Sequence, residues 1–171
     1  GRPSYNGDTP TKARTQQYSY EFNGSWDPEV VMVTWDATYT AQFNAIVNKY
    51  TVTFDTDGWS EIDPVEVDYG SAVSRPVNDS EKTHYDFENW YSNSTKTQLY
   101  DFTSPIYTGI TLYAKYTPHR YTITYNLSGW RETTRNITWY TIKLDSWSLV
   151  APTRTGYTFS GWIGTDLTGV T

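Results

Sequence analysis

The sequence predicts a mainly β chain built of tandem units of about 70 residues, with antiparallel or mixed sheets and little helix. Three observations carry this. Segments recur along the 171 residues at a nearly constant shift. Most recurring segments alternate polar and apolar side chains with period two, as a half-buried strand does. The composition is rich in Thr and Tyr, which suit a pleated surface.

The recurrence is specific. Tyr50-Thr51-Val52-Thr53-Phe54 returns as Tyr121-Thr122-Ile123-Thr124-Tyr125, a shift of 71 positions. Tyr85-Asp86-Phe87-Glu88-Asn89-Trp90 returns as Tyr157-Thr158-Phe159-Ser160-Gly161-Trp162 at 72, and Tyr20-Glu21-Phe22 with Trp26 is a third copy holding one extra residue. Tyr39-Thr40-Ala41-Gln42-Phe43 matches Leu112-Tyr113-Ala114-Lys115-Tyr116 at 73. The units are therefore expected at 1–49 (partial, with its linker), 50–120 (complete) and 121–171 (partial). The first lacks the Tyr-Thr-Val-Thr-Phe opening strand and the third lacks the Tyr-x-Ala-x-aromatic closing strand, so both ends read as cut from a longer array. Each cut is expected to leave an unpaired strand edge, a template for a strand from another chain.

Turns are expected at Asp57-Gly58, Tyr69-Gly70 and Ser128-Gly129, where glycine supplies positive φ at little cost. No window shows a 3.6-residue apolar stripe, and the best helical candidate is one short turn at Ser80–Thr83. The core of the middle unit is expected to hold Phe54, Phe87, Trp90 and either Tyr113 or its neighbour Leu112. The repeated rings Tyr20, Phe22, Trp26, Tyr85, Phe87, Trp90, Tyr157, Phe159 and Trp162 are read as packing residues.

Composition narrows the function classes. Leu, Ile, Val and Phe are only 31 of 171 residues, but 8 Trp, 16 Tyr and 6 Phe supply buriable area, at roughly 150–250 Å² per ring. The balance of 13 basic against 19 acidic residues, with no basic cluster, gives no footprint for a phosphate backbone, so nucleic acid is not expected as a partner. No apolar run approaches the roughly 18 residues of a membrane-spanning helix, and membrane insertion is not expected. The absence of cysteine removes disulfides, thiolate metal sites and cysteine nucleophiles.

Taken in order, Tyr50 to Gly58, Val67-Asp68-Tyr69-Gly70, Arg75-Pro76, Tyr85 to Tyr91 and Ile110 to Tyr116 resemble the Listeria/Bacteroides-type repeat, also known as the internalin B-repeat or Flg_new repeat. Ala151 to Trp162 continue the resemblance in the third unit. It covers nearly the whole chain except Gly1 to Ser4. The resemblance implies a β-grasp-like unit, a sheet packed on a short helix or irregular segment. It also implies an exported, extracellular or cell-surface location, a spacer or adhesive role and no catalysis.

Candidate chemistry lies mainly in indoles outside the shared motifs. Trp59 and Trp130 follow Gly58 and Gly129, where the family usually has a second small residue. Trp35 stands where a turn residue would be ordinary, and Trp139 and Trp147 belong to no shared motif. Turn positions are usually on the surface, so these five are the candidate ligand or partner contacts. Their alternative role is partial burial against a neighbouring unit. Asp55-Thr56-Asp57-Gly58-Trp59-Ser60-Glu61 clusters carboxylates around a glycine but falls short of a calcium loop, and an Asp-capped turn accounts for it better. His84 and His119 have no second His or Cys at i+3 or i+4, which disfavours zinc. No Gly-x-Ser-x-Gly, His-Glu-x-x-His or phosphate loop occurs. Asn-x-Ser/Thr sequons start at Asn23, Asn78, Asn93, Asn126 and Asn136. The expected protein is a non-catalytic spacer or stalk without cofactor, whose partners are neighbouring repeats or subunits, with a host or cell-wall glycan or a protein receptor as candidate ligands. Its rivals are a carbohydrate-binding module using exposed Trp and Tyr, and a fibre subunit assembled by strand complementation.

Overall fold

A computed structural model describes residues 3–131 and 136–163; the end of the third expected unit, 164–171, lies outside the described residues. These residues form eight strands and no helix. They are β1 (Tyr18–Asp27), β2 (Thr40–Val47), β3 (Lys49–Asp55), β4 (Val65–Asp68), β5 (Tyr85–Tyr91), β6 (Ile110–Pro118), β7 (Tyr121–Thr122) and β8 (Trp139–Tyr140). Three sheets result: β1-β2, a four-stranded sheet in the order β4-β3-β6-β5, and β7-β8. The middle sheet is mixed. Its β3 and β6, the expected opening and closing strands, run parallel at its centre, with Phe54 beside Leu112, and the outer pairs are antiparallel.

Alternation builds the core. In β3, Val52 and Phe54 point inward while Thr51, Thr53 and Asp55 face solvent. In β6, Leu112 and Ala114 are fully buried and Tyr113 is half-buried, so Leu112 takes the core position. Trp90 is fully buried and meets Phe54 and Phe87 ring to ring at 5.1 and 5.5 Å. Val73 and Ile106, from irregular connections, complete the cluster over the sheet. Ser71 and Ile106 are tied by a backbone bond, Ile106 N–H donating to Ser71 O at 2.9 Å.

The expected helical turn at Ser80–Thr83 is not formed. Ser80 to Lys82 alternate inward and outward as an extended segment does, and the turn that forms is at Thr83-His84, closed by Tyr85 N–H donating to Lys82 O at 3.0 Å. The Tyr116 hydroxyl donates to Ser80 Oγ, and Ser60 Oγ lies 3.1 Å from it. Side-chain anchoring of this kind competes with a helical backbone wherever serine has a fixed partner.

The first sheet repeats half of the middle one. Across β1 and β2, Phe22 faces Phe43 and Trp26 faces Ala41; across β5 and β6, Phe87 faces Tyr116 and Trp90 faces Ala114. Both pairs are irregular just before the indole, and the extra residue of the first copy falls inside that irregularity, where Gly24 has φ 84°. A β-bulge absorbs one residue without moving the inward face.

The last sheet repeats the other half less completely. Tyr50 to Phe54 lies in a seven-residue strand with two neighbours, but the near-identical Tyr121 to Tyr125 gives a ladder of only two residues, with β8. Among the described residues β7 has one ladder neighbour, β8, where β3 has two, β4 and β6. Near-identical sequences thus lie in ladders of different length, since strand propensity depends on its surroundings.

Burial follows the same division. Among the described residues, every fully buried hydrophobic side chain lies between Val52 and Ala114. The rings Tyr20, Phe22, Trp26, Phe159 and Trp162 are half-buried. Tyr157, expected as packing, is 63% exposed. It ends a tight turn, donating its N–H to Arg154 O at 3.1 Å after Gly156 at φ 77°, and no described strand pairs with it as β6 pairs with Tyr85.

Candidate functional site

The expected turns form, and two of them are twins. Asp57 and Gly58 have φ 60° and 79°, Ser128 and Gly129 have 45° and 86°. In each, the next indole residue closes the turn, Trp59 N–H to Thr56 O at 3.3 Å and Trp130 N–H to Leu127 O at 2.8 Å. Positive φ at both central residues is the type I′ geometry. Trp59 and Trp130 therefore leave matching turns in the same direction, but they meet different surroundings.

Trp59 is 41% exposed, and the Lys82 ammonium lies 5.3 Å from its ring. The same ammonium is 4.6 Å from Tyr85 and 5.4 Å from Tyr116, and it pairs with Asp57 Oδ2 at 3.2 Å. These rings form a cage whose cation is the chain's own lysine. Two carboxylates of the Asp55–Glu61 segment are committed similarly: Asp55 Oδ1 accepts the Asp57 N–H at 2.9 Å, and Asp57 also receives Lys96 at 3.9 Å. They form a capped turn held by lysines.

Trp130 is half-buried, its ring 5.7 Å from Phe159 and 6.2 Å from Tyr157. Arg131 and Thr153 exchange backbone hydrogen bonds at 2.9 and 3.1 Å and so clamp the two walls of a cleft of about 770 Å³. Trp35 is 71% exposed in the β1–β2 connection, near the exposed Val31 and Met32. Trp139 is 46% exposed, with the Arg120 guanidinium 4.1 Å from its ring. Trp147 lies 5.1 Å from Tyr140, which stacks on Tyr121 at 5.2 Å. No two of the five candidate indoles are in ring contact among the described residues; they serve separate places.

Sequence reasoning missed the two junctions. Between β2 and β3 stands one residue, Asn48, only 7% exposed. Its side-chain amide donates to Thr15 O and Gln16 O at 2.9 and 3.0 Å, its N–H to Gln17 O at 2.9 Å, and Tyr50 Oη donates to Gln16 O at 2.6 Å. Between β6 and β7 stand His119 and Arg120. The His119 N–H donates to His84 O at 2.8 Å, His119 Nδ1 is 2.8 Å from Asp86 Oδ1, and His84 Nδ1 is 2.8 Å from Tyr121 Oη. The two histidines read singly in the sequence are joined here. Their 35-position separation hid this, and only strand register could have revealed it.

Three of the five sequon asparagines cap turns, and a fourth ties two segments together. Asn23 Oδ1 accepts from Ser25, Asn126 Oδ1 from Ser128 and Asn93 Oδ1 from Thr97 and Gln98, while Asn136 clamps both backbone groups of Val150. Asn followed two residues on by Ser or Thr is also the pattern of an Asx turn. On the outer face of β5, Glu88 Oε1 accepts from Lys115 Nζ at 2.8 Å and Tyr91 Oη at 2.6 Å. Those two hydrogen bonds, Lys115 first, hold its carboxyl below the ordinary range.

A mixed four-stranded sheet flanked by two halves of itself, joined by one- and two-residue links, defines a tandem small-β repeat protein. Residues 50–115 and 121–170 match the Listeria-Bacteroides repeat domain, and the chain belongs to that family. It is 33% identical over 146 residues to internalin H of Listeria monocytogenes, covering 84% of this chain and 25% of that protein. It is 32% identical over 148 residues to a protein of Evansella cellulosilytica that carries the provisional name of a membrane protein, covering 84% and 21%. The chain thus spans about a quarter or less of the relatives it matches.

Proposed function

We propose that the chain is a non-catalytic spacer of a bacterial cell-surface or extracellular protein, in units bounded at 1–49, 50–120 and 121–171. Membership in the repeat family and likeness to internalin H support the location. The observation that carries the mechanical reading is surface. The accessible area is 12851 Å², against about 8600 Å² for a compact monomer of this mass. The chain spends its length on reach, with one small core among the described residues and neighbouring sheets joined by short, hydrogen-bonded links. Stability and length then add unit by unit, as in other linear repeats. Joining two copies of the chain and measuring sedimentation velocity tests this. A frictional ratio that rises with the second copy is expected, and an unchanged ratio would defeat the spacer reading.

A second reading, strand complementation between copies, is favoured by the short ladder of β7. By the repeat, β2 corresponds to β6 and β7 to β3, the two partners of the parallel pairing in the middle sheet. Seating β2 of one copy beside β7 of another would give the order β8-β7-β2-β1, equivalent to β4-β3-β6-β5. Oligomers that grow with concentration are expected on this reading, and a strictly monomeric chain would remove it.

A further inference from the structure

We propose that the Trp130 cleft binds an acidic saccharide, a chain of pyranose rings carrying carboxylates. Charge singles it out. Residues 50–118 hold eleven carboxylates against four basic side chains, whereas 119–171 hold five basic side chains against three carboxylates. All four basic residues of 50–118 pair with a carboxylate: Arg75 with Asp79, Lys82 and Lys96 with Asp57, and Lys115 with Glu88. Arg131 and Arg154 line the cleft, and neither has a carboxylate within salt-bridge distance among the described residues. Two guanidinia with no carboxylate partner among the described residues, at one cleft of an acidic protein, make a local anion site.

The rings make that anion a sugar. Trp130, Tyr157 and Phe159 line the same cleft, and the Arg154 guanidinium sits 4.1 Å over the Tyr157 ring. A guanidinium on an aromatic face keeps its N–H edge free for a carboxylate. The ring surface beside it suits the C–H face of a pyranose. The volume of about 770 Å³ falls in the range of small-ligand sites, about 300–1,000 Å³. The twin turn supplies a built-in contrast. The hollow at Trp59 is lined by Asp55, Glu61 and Asp63, and Lys82 already lies over the indole. Twin backbone geometry thus presents one indole in an acidic hollow with a lysine over it and one in a cleft lined by two arginines.

The test is calorimetric titration of the full chain with a uronic-acid pentasaccharide, its methyl ester and a glutamate pentapeptide. Binding of the acid alone is expected, weakened about tenfold or more by the double change Arg131→Gln and Arg154→Gln and unaffected by Trp59→Ala. Near-UV circular dichroism of the double variant, expected to match the parent, separates lost recognition from lost structure. No binding of the acid, equal binding of the ester or of the peptide, or full binding by the folded double variant would each overturn the proposal.

Discussion

Trp90 stands directly opposite Ala114 across β5 and β6, and both are completely buried. The small residue makes room for the large one, and Trp26 opposite Ala41 repeats the arrangement in the first sheet. Trp90→Ala should destabilise the middle sheet by about 3–5 kcal/mol, read as a shift in denaturant midpoint. A loss under about 1 kcal/mol, the range of ordinary surface changes, would show that Trp90 is not the centre of the core.

The repeat was legible in the sequence because the large rings recur at nearly constant shifts, and the extra residue between Phe22 and Trp26 falls where the structure has its bulge. Alternation placed Phe54 in the core and left Tyr113 and Leu112 as alternatives, of which Leu112 is the buried one, while Val52 was not among the expected core residues. The helical turn at Ser80–Thr83 was not legible, since its extended form depends on Ser60 and Tyr116, far away in sequence. Tyr157 was misread for a similar reason: burial of a template ring requires the strand beside it. The junction residues Asn48, His84 and His119 carry no local pattern, and only the register of β1-β2 and β5-β6 brings their partners to them.

Asn48→Ala removes two side-chain hydrogen bonds and strands the carbonyls of Thr15 and Gln16 beside a nearly buried position. The expected cost to the first junction is about 1–3 kcal/mol. Amide exchange should accelerate at Asn48 and Tyr18 and stay unchanged at Val52 and Leu112. Equal acceleration in the middle sheet would mean that the junction and core open together.

The twin turns should respond alike. An alanine Cβ at Gly58 or Gly129 would meet nothing within 4 Å, and both residues hold positive φ. Only backbone strain is then at issue, about 1 kcal/mol for an L residue. Gly58→Ala should cost that much, while D-alanine at the same place should cost none. Equal penalties for the two enantiomers would point to a side-chain clash instead.

Glu88 gives a pH dependence with a definite sign. Lys115 and Tyr91 lower its folded pKa, so its contribution is complete above the ordinary carboxylate value of about 4.3. It is lost as pH falls through the lowered value. The melting temperature of Glu88→Gln should lie below that of the parent near neutral pH, and the gap should close on acidification. A gap that persists or widens in acid would contradict the assignment.

The central claim is that these residues form an extended series of small β units. Small-angle scattering of the 171-residue chain at low concentration tests it most directly. A compact globule of this length has a radius of gyration of about 16 Å. A value clearly above that, with the elongated distance distribution of a rod, is expected. A radius near the globular value with a symmetric distribution would contradict it.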